Sequence, residues 1–571
     1  MIRSLCLSLL AGVPWMLAAA PPPQPSQDLL RFINGDQLHG SFQGIKPGAL
    51  ALWQRPDLTA AGEFKSAQIQ KIILRAGRPE KSNESLAHVA LINGDRIPGT
   101  LIALDDETLT VDTTFAGVMH LPRKLVGMVA PMPLGGRVLF HGPYSEDGWL
   151  MINSEFPDGI PAPATADEDK DKDKDKDKDK DKDKADKADK PDKDKADKAV
   201  VEDANAAADE EGGGEEEGKA KPVSKTAIPR WEFSGAAWYW SQKHGATALL
   251  RKSIMPDRSI LRFNLAWRNR LMVCLAFHAD CTRPVKPAKD GDEAKAKEEA
   301  KAVDDAKRRM MQNGFGPGDM GSLPQLFGSS YVLQINSGYA MLLRCGFDEK
   351  GNPTMERIQV NNPSIRLPET GSATFELRCD RLKGTILLYV DGEFSMQWSE
   401  PGLTEDGGYS GKGGGFGFLT QMENSPVRVS DVVVAEWNGM PDSARSMQVD
   451  AQDIVLLTNG TDRFSGKVTG FQNGKLLLHG KFGNFSFPLE QIAEVRFAAD
   501  TLSKPEETAP ERIIVRLDPI GNISGKPVSG NASSLKLLTP YAGEIDLKLE
   551  SVVILDFQPS NNFLDDWDPQ F

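Results

Sequence analysis

The chain has 571 residues, of which 40% are hydrophobic and 26% are charged, so it has enough apolar residues for several packed cores. The formal net charge is −14 and no dense basic surface interleaved with aromatic residues is present, which argues against nucleic acid as a partner. The seven histidines lack the H-x-x-x-H and H-E-x-x-H spacings of zinc sites, and no G-x-S-x-G or phosphate-binding glycine loop occurs. We therefore expect no metal and no cofactor.

The first twenty residues have the pattern of a secretory signal peptide. Arg3 supplies the positive charge, Leu5–Leu17 is the apolar segment, and Ala18–Ala20 precedes a proline run as a small-residue cleavage site. The apolar segment is too short for a membrane-spanning helix, and no later stretch could cross a membrane. The sequence predicts a signal peptide over residues 1–20 and a mature protein exported to the periplasm or the extracellular space.

A short motif occurs twice near each end of the chain. Asn34–Asp36 with Gly40 in the first copy is matched by Asn93–Asp95 with Gly99 in the second. A third copy keeps the aspartate and the later glycine after a one-residue insertion, and a fourth keeps that glycine alone. Asn and Gly favour positive φ in tight turns and Asp accepts hydrogen bonds from the following amides, so we interpret the motif as a turn rather than a ligand loop.

Each copy continues with short strands and glycine turns, about five strands in roughly 45 residues, which predicts a small β-barrel of the Sm or Src-homology-3 type. The sequence pattern of the four copies also resembles small modules that precede outer-membrane barrels in some Gram-negative envelope proteins. This resemblance implies a place in the envelope. Units this small bury little surface alone, so we expect each pair to dock together or against a larger domain. The four predicted units cover residues 28–76, 86–132, 452–498 and 510–558.

The region between the two pairs of units, residues 137–437, is predicted to form a β-sandwich with two polar insertions. The first insertion, residues 160–228, contains a strict Asp-Lys alternation followed by an acidic patch, and its lack of apolar residues predicts disorder. The second insertion, residues 283–321, is rich in Lys, Ala and Glu, and its segment 293–311 could be helical. Both insertions are expected on loops of one domain.

The end of this region carries the strongest strand signals. Thr385–Val390 is a β-branched and aromatic run that stops at Asp391-Gly392, a dipeptide typical of hairpins, and Val427–Trp437 is a last strand with apolar residues on both faces. With the glycine-phenylalanine stretch Gly413–Phe418 between them, these segments resemble the concanavalin A-like (laminin-G-like) jelly rolls of exported bacterial proteins. The resemblance implies an all-β, lectin-like sandwich flanked by the small barrels.

Four cysteines remain after the predicted signal peptide, all in the central region: Cys274, Cys281, Cys345 and Cys379. An even number in an exported domain suggests disulfides, with three connectivities allowed. Cys274 and Cys345 also lie in apolar strand-like contexts typical of ordinary buried thiols. The sequence leaves both alternatives open.

Candidate catalytic groups are few. No strand carries the E-x-D-x-x-E pattern of laminarinase-type relatives of this fold, and the glutamates are scattered. Aromatic residues concentrate at Trp238, Tyr239 and Trp240, where alternation places Tyr239 opposite its neighbours and so requires one face to be exposed or covered by another domain. We interpret these three residues as candidate ligand contacts, because sugar rings stack on exposed aromatic rings.

The sequence thus favours an exported, non-catalytic binding or scaffold protein that contacts an envelope protein or a glycan. The alternative is a glycoside-acting hydrolase on the same sandwich, whose carboxylates, for example Glu376 and Glu405, come from separate strands or loops. The sequence does not determine the oligomeric state.

Overall fold

The computed structural model describes residues 27–74, 87–131, 135–153, 156–160, 228–241, 247–284, 323–359, 364–405, 407–420, 425–440, 451–504, 511–518, 520–559 and 567. The predicted signal peptide, the Asp-Lys alternation, the acidic patch and the segment 293–311 lie outside these residues. Apart from helix α1 (Leu323–Phe327) and short 3-10 turns, the regular structure of the described residues is β, which confirms the all-β class. Within that part of the chain, every helix is too short or too polar to cross a membrane.

Two five-stranded units come first. Unit one contains β1 (Asp28–Phe32), β2 (Gln37–Lys46), β3 (Leu50–Gln54), β4 (Gly62–Lys65) and β5 (Ile69–Ile73); unit two contains β6 (Ala87–Leu91), β7 (Arg96–Leu104), β8 (Thr108–Thr113), β9 (Gly117–Pro122) and β10 (Val126–Ala130). In both, the first strand pairs antiparallel with the second and the fifth. The second, third and fourth strands follow as a meander.

The Asn-Gly-Asp motifs are turns, as the sequence predicts, but the accepting side chain is the asparagine. Gly35 and Gly94 both have φ of 90°, a conformation that glycine adopts at no steric cost. The backbone N–H of Asp36 donates to Asn34 Oδ1 at 3.1 Å, and the second motif has the same bond at the same distance. The aspartate carboxylate is therefore left for other contacts.

The central region forms two antiparallel sheets. The front sheet has the order β13-β14-β25-β16-β21-β22-β23 with β11 also on β25, and the back sheet has the order β12-β15-β24-β17-β18-β19-β20. The strands are β11 (Val138–Gly142), β12 (Trp149–Ile152), β13 (Glu232–Ser234), β14 (Ala237–Trp240), β15 (Ala248–Arg251), β16 (Arg258–Trp267), β17 (Met272–Ala279), β18 (Ser330–Asn336), β19 (Ala340–Phe347), β20 (Pro353–Ile358), β21 (Gly371–Asp380), β22 (Thr385–Val390), β23 (Glu393–Ser399), β24 (Gly415–Thr420) and β25 (Val427–Glu436).

The main core of the sandwich lies between these sheets. Alternate residues of each strand point inward. The ring of Phe263 in the front sheet packs against Phe418 of the back sheet with centroids 5.2 Å apart, and against Phe375 of its own sheet with centroids 5.7 Å apart. On the outer face of the back sheet, Leu326 and Phe327 of α1 pack over Leu250 and neighbouring apolar residues. A second apolar layer thus covers that face.

Two further units end the described chain with the same strand order. Unit three contains β26 (Asp453–Leu457), β27 (Arg463–Gln472), β28 (Lys475–Gly480), β29 (Gly483–Pro488) and β30 (Ile492–Arg496); unit four contains β31 (Ile513–Leu517), β32 (Gly521–Gly530), β33 (Ser534–Thr539), β34 (Gly543–Lys548) and β35 (Val552–Asp556). The first strand again pairs with the second and the fifth. A β-bulge recurs in the second strand of every unit.

The units pair across the two ends of the chain. The fifth strand of unit one lies beside the fifth strand of unit four (Ile72 opposite Leu555), and the fifth strand of unit two lies beside that of unit three (Val129 opposite Val495). Each ladder occupies a strand edge that would otherwise present open N–H and C=O groups. All four units contribute to one hydrophobic cluster, so their small cores are joined.

Part of the outer face of the front sheet is covered by residues from outside the sandwich. Val433 and Ala435 of β25 pack in a cluster with Ile520, and Tyr239 of β14 packs edge-on against Trp567 with ring centroids 5.6 Å apart. Arg516 of unit four reaches Asp431 on β25 at 3.4 Å. The half of the front sheet around β11, β14 and β25 is therefore an internal interface.

Candidate functional site

The three aromatic residues expected to contact a ligand are buried. Trp238, Tyr239 and Trp240 are each 2% exposed. The two tryptophans belong to the core between the sheets, whereas Tyr239 faces outward and is covered by Trp567. Stacking on a sugar requires an open ring face, so the structure corrects this expectation: the strand is a packing element.

Cys274, Cys281, Cys345 and Cys379, for which the sequence left both disulfides and ordinary thiols open, are free thiols in the structure. Cys274, Cys345 and Cys379 are buried, and Cys281 is partly buried. Burial raises the pKa of Cys274 to about 12 and raises the pKa of Cys345 and Cys379 as well. These thiols therefore stay protonated near neutral pH and behave as small apolar side chains.

The other half of the front sheet carries a row of four side chains that crosses four strands. Arg262 on β16 lies opposite Glu376 on β21, Glu376 lies opposite Tyr389 on β22, and Tyr389 lies opposite Phe394 on β23. Directly opposed residues on antiparallel strands have Cβ atoms about 5 Å apart. The row therefore runs cation, carboxylate, aromatic, aromatic across the sheet.

Alternation along β21 explains why these groups face outward. Phe375, Leu377 and Cys379 are buried in the core between the sheets, so Glu376 and Arg378 point to the opposite face. At the other end of the row, the Asp391-Gly392 turn joins β22 and β23 with φ of 51° and 85°, which confirms the predicted hairpin. A bulge beside Tyr389 breaks the register there and brings Phe394 opposite it.

The side chains in the row are held by specific contacts. Arg378 Nε donates to Glu376 Oε1 at 2.6 Å, and the Arg378 guanidinium lies 4.3 Å from the centre of the Tyr389 ring. Tyr389 and Phe394 pack edge-to-face with centroids 5.8 Å apart, and Phe394 is 57% exposed. We refer to Arg262, Glu376, Arg378, Tyr389 and Phe394 as the front-face site.

The front-face site can offer an apolar ring surface, guanidinium donors and a carboxylate acceptor. Glycosidic hydrolysis ordinarily uses two carboxyl groups on either side of the bond, and the front-face site contains one. Glu405, the other glutamate considered from the sequence, is exposed in a turn that its own N–H closes on Gly402 O at 3.0 Å, and no contact within the described residues joins it to Glu376.

Glu400 and Glu356 have structural contacts. Glu400 has a side chain only 4% exposed, accepts from Tyr331 Oη at 2.7 Å and pairs with Arg344 at 2.6 Å. Arg344 also pairs with Glu356 at 2.8 Å. This network holds the start of the glycine-rich loop against the back sheet. Among the described residues, no group of three His, Cys, Asp or Glu side chains is placed to hold a metal ion.

Sequence reasoning missed most of the front-face site. Glu376 was considered as an isolated carboxylate, and Tyr389 only as part of a strand. Alternation would have placed Glu376 and Arg378 on one face, since they are two residues apart on β21. Nothing local could have placed Arg262 and Phe394 beside them, because they come from β16 and β23.

No protein-family model matches the chain, and no curated protein matches it. Among solved structures, the carbohydrate-binding module CBM66 from Bacillus subtilis is 8% identical, with 36% of this chain and 92% of that chain covered at a TM-score of 0.21. A Bacillus subtilis protein of unknown function with a galectin-like fold is 15% identical, with 36% and 86% covered at a TM-score of 0.21. A β-glucanase from Bacillus licheniformis is 8% identical, with 36% and 81% covered at a TM-score of 0.19.

Proposed function

We propose that this chain is an exported, non-catalytic protein that binds a glycan at the front-face site. The single observation that carries the proposal is the row in which an aromatic pair, with Phe394 57% exposed, adjoins a pre-oriented ion pair on a sandwich sheet. Export rests on the signal-peptide pattern of residues 1–20. The five-stranded units act as a scaffold that holds the sandwich.

A sugar ring presents apolar C–H faces and hydroxyl edges, and the front-face site offers a partner for each. Tyr389 and Phe394 supply ring surface at a low cost in side-chain entropy. Beside these rings, the largely buried pair of Arg378 and Glu376 offers guanidinium donors and carboxylate acceptors for hydroxyl groups. The contact of Arg378 with Tyr389 at 4.3 Å fixes the guanidinium before any ligand arrives, which lowers the cost of binding.

Hydrolysis at Glu376 is the competing function. One oxygen of Glu376 is already engaged by Arg378 at 2.6 Å, and a second carboxylate would have to join it from elsewhere. Release of reducing sugar from a bound glycan, abolished in Glu376→Gln, would favour the enzyme. Binding without turnover favours the proposal.

The test is glycan-array binding with the full mature chain and with Tyr389→Ala. We expect wild type to bind without releasing product, and Tyr389→Ala to bind about ten-fold more weakly, since it loses one aromatic contact. Phe482→Ala is the matched control, because Phe482 is 88% exposed in unit three, away from the front-face site. Equal affinity of wild type and Tyr389→Ala would contradict the assignment of the site.

A further inference from the structure

Units two and four meet through equivalent edges of their second strands. The repeated glycine is Gly99 in unit two and Gly525 in unit four, and the residues three positions before it are Arg96 and Asn522. These two residues lie directly opposite each other in an antiparallel pairing of β7 with β32. Because equivalent positions face each other, the two units are related at this contact by a local two-fold axis, as in an isologous dimer.

The contacts on either side of this axis follow the same symmetry. On one side, Asp95 of unit two accepts from Ser524 N at 3.0 Å and from Ser524 Oγ at 2.7 Å. On the other side, the equivalent pair is Gly521 of unit four and Pro98 of unit two, and a Cβ on Gly521 would lie 2.6 Å from Pro98 Cδ. This edge is therefore a surface through which one unit pairs with another unit of the same fold.

Pairing of two edges buries the apolar residue beside the axis. Ile97 of unit two and Ile523 of unit four are both 0% exposed. Phe464 has the equivalent position in unit three and is only partly buried, although its ring packs 5.1 Å from Phe485 and 4.8 Å from Phe487. Apart from β26, no strand in the described part of the chain pairs with β27 at Phe464. The equivalent edge of unit three is therefore open.

Unit three also carries both polar partners that units two and four supply separately. Asp462 is equivalent to Asp95, and Ser465 is equivalent to Ser524. Both are exposed, and the Asp462 carboxylate accepts from Thr461 Oγ1 at 3.4 Å within its own turn. If a second unit three lay on the first as unit four lies on unit two, Asp462 of each copy would meet Ser465 of the other. The contact between aspartate and serine would then form twice.

The edge of unit one lies against the sandwich. Gln37, which is equivalent to Arg96, donates from Nε2 to Ser234 Oγ on β13 at 3.3 Å. Unit one has an aspartate, Asp36, but the place of the serine is taken by His39. Among the four units, unit three therefore combines an open edge with a self-complementary pair of polar residues.

We propose that two copies of this chain form a dimer through the unit-three edge of Asp462, Phe464 and Ser465, around a two-fold axis at Arg463. The pairing joins the two open strand edges and covers the Phe464 ring of both copies. The two Arg463 residues meet at the axis, where units two and four have one arginine and one asparagine. Like charges directly opposite each other weaken a strand pairing, so Arg463→Asn tightens the dimer.

Sedimentation velocity of the full mature chain from about 1 to 100 µM measures the dimer. We expect a concentration-dependent dimer that Ser465→Glu weakens at least about ten-fold, because it sets a carboxylate against Asp462 of the other copy. Ser486→Glu is the matched control, since Ser486 is exposed on β29 and alternation points it away from the side of Phe485. Arg463→Asn should lower the dissociation constant about two- to five-fold.

Cross-linking tests the position of the axis. Arg463→Cys places the same residue of both copies face to face, so mild oxidation should give a disulfide-linked dimer. Lys467→Cys, exposed on the same strand but away from the axis, should not cross-link. A wild-type chain that stays monomeric up to about 100 µM overturns the proposal. A dimer that Ser465→Glu leaves intact, or that Arg463→Cys does not cross-link, also overturns it, because the copies then meet elsewhere. Circular dichroism checks that each variant is folded.

Discussion

His278 is a buried polar residue whose titration should be visible in the stability of the whole chain. It is fully buried, has φ of 48° at a bulge in β17, and lies 3.2 Å from Tyr409 Oη and 3.4 Å from Ser259 Oγ. Burial, reinforced by Arg381, lowers its pKa to about 3. When the pH falls far enough for this histidine to take up a proton in the unfolded chain, the unfolded state is favoured and the free energy of unfolding decreases.

The predicted pH dependence follows from this pKa. Between about pH 6.5, where histidine titrates in an unfolded chain, and about pH 3, the unfolded state binds more protons, so the free energy of unfolding rises with pH in this window. His278→Asn removes the titrating group and keeps a polar side chain that tolerates positive φ. We expect the loss of stability between about pH 7 and pH 4.5 to be smaller in this variant by about 2–3 kcal/mol.

Urea unfolding at the two pH values measures this difference. The matched control is His120→Asn, which changes an exposed histidine in unit two. An unchanged pH slope in His278→Asn, with a normal unfolding cooperativity, would show that the buried imidazole does not carry the effect.

At the scale of an element, the glycine-rich loop before β24 depends on close backbone approach. A Cβ added to Gly413 would overlap the carbonyl of Ala279 and lie 2.5 Å from Asp280 Cα. Both contacts are with backbone atoms, so relieving them requires a shift of the main chain. Gly417 similarly lets the Phe327 ring of α1 approach to 3.0 Å from where a Cβ would lie. Glycine in this stretch therefore serves packing, not flexibility.

Gly413→Ala should therefore be destabilising. We expect a loss of about 2–4 kcal/mol in the free energy of unfolding, because the loop or β17 has to shift. Gly338→Ala is the control, since a Cβ there meets nothing within 4 Å and the turn between β18 and β19 has room for it. Chemical denaturation of both variants checks the difference, and similar midpoints for the two would refute the packing argument.

At the scale of the whole molecule, polar contacts join units that are far apart in sequence. Asp95, from the second Asn-Gly-Asp turn, is 1% exposed and accepts from Ser524 N at 3.0 Å and Ser524 Oγ at 2.7 Å. Arg512 of unit four is also 3.6 Å from Asp95. The same turn residue in unit one, Asp36, is exposed, and its carboxylate accepts from Asn34 Nδ2 at 2.7 Å within the same turn.

This difference gives a matched pair of substitutions. Asp95→Ala should cost about 2–3 kcal/mol, because it leaves Ser524 and Arg512 without a buried acceptor. Asp36→Ala should change stability by less than about 0.5 kcal/mol. A double-mutant cycle of Asp95→Ala with Ser524→Ala should give a coupling of about 1 kcal/mol or more. Additive effects in that cycle would mean that this bond does not join unit two to unit four.

The sequence by itself determined the features that depend on local chemistry. Alternation and β-branched runs predicted the strands of the sandwich, Asp391-Gly392 predicted its hairpin, and the repeated Asn-Gly-Asp predicted turns. Each of these depends on a few adjacent residues, because turn conformation and strand pleat have a period of two to four residues.

Only the tertiary structure decided which faces are open and which groups meet. Trp567 covers Tyr239, which the sequence offered as a ligand contact, and the four cysteines, which the sequence left as either disulfides or thiols, are free thiols. Arg262, Glu376, Tyr389 and Phe394 form one row because β16, β21, β22 and β23 are neighbours in a sheet. Burial and proximity depend on contacts between residues hundreds of positions apart, which no local pattern in the chain encodes.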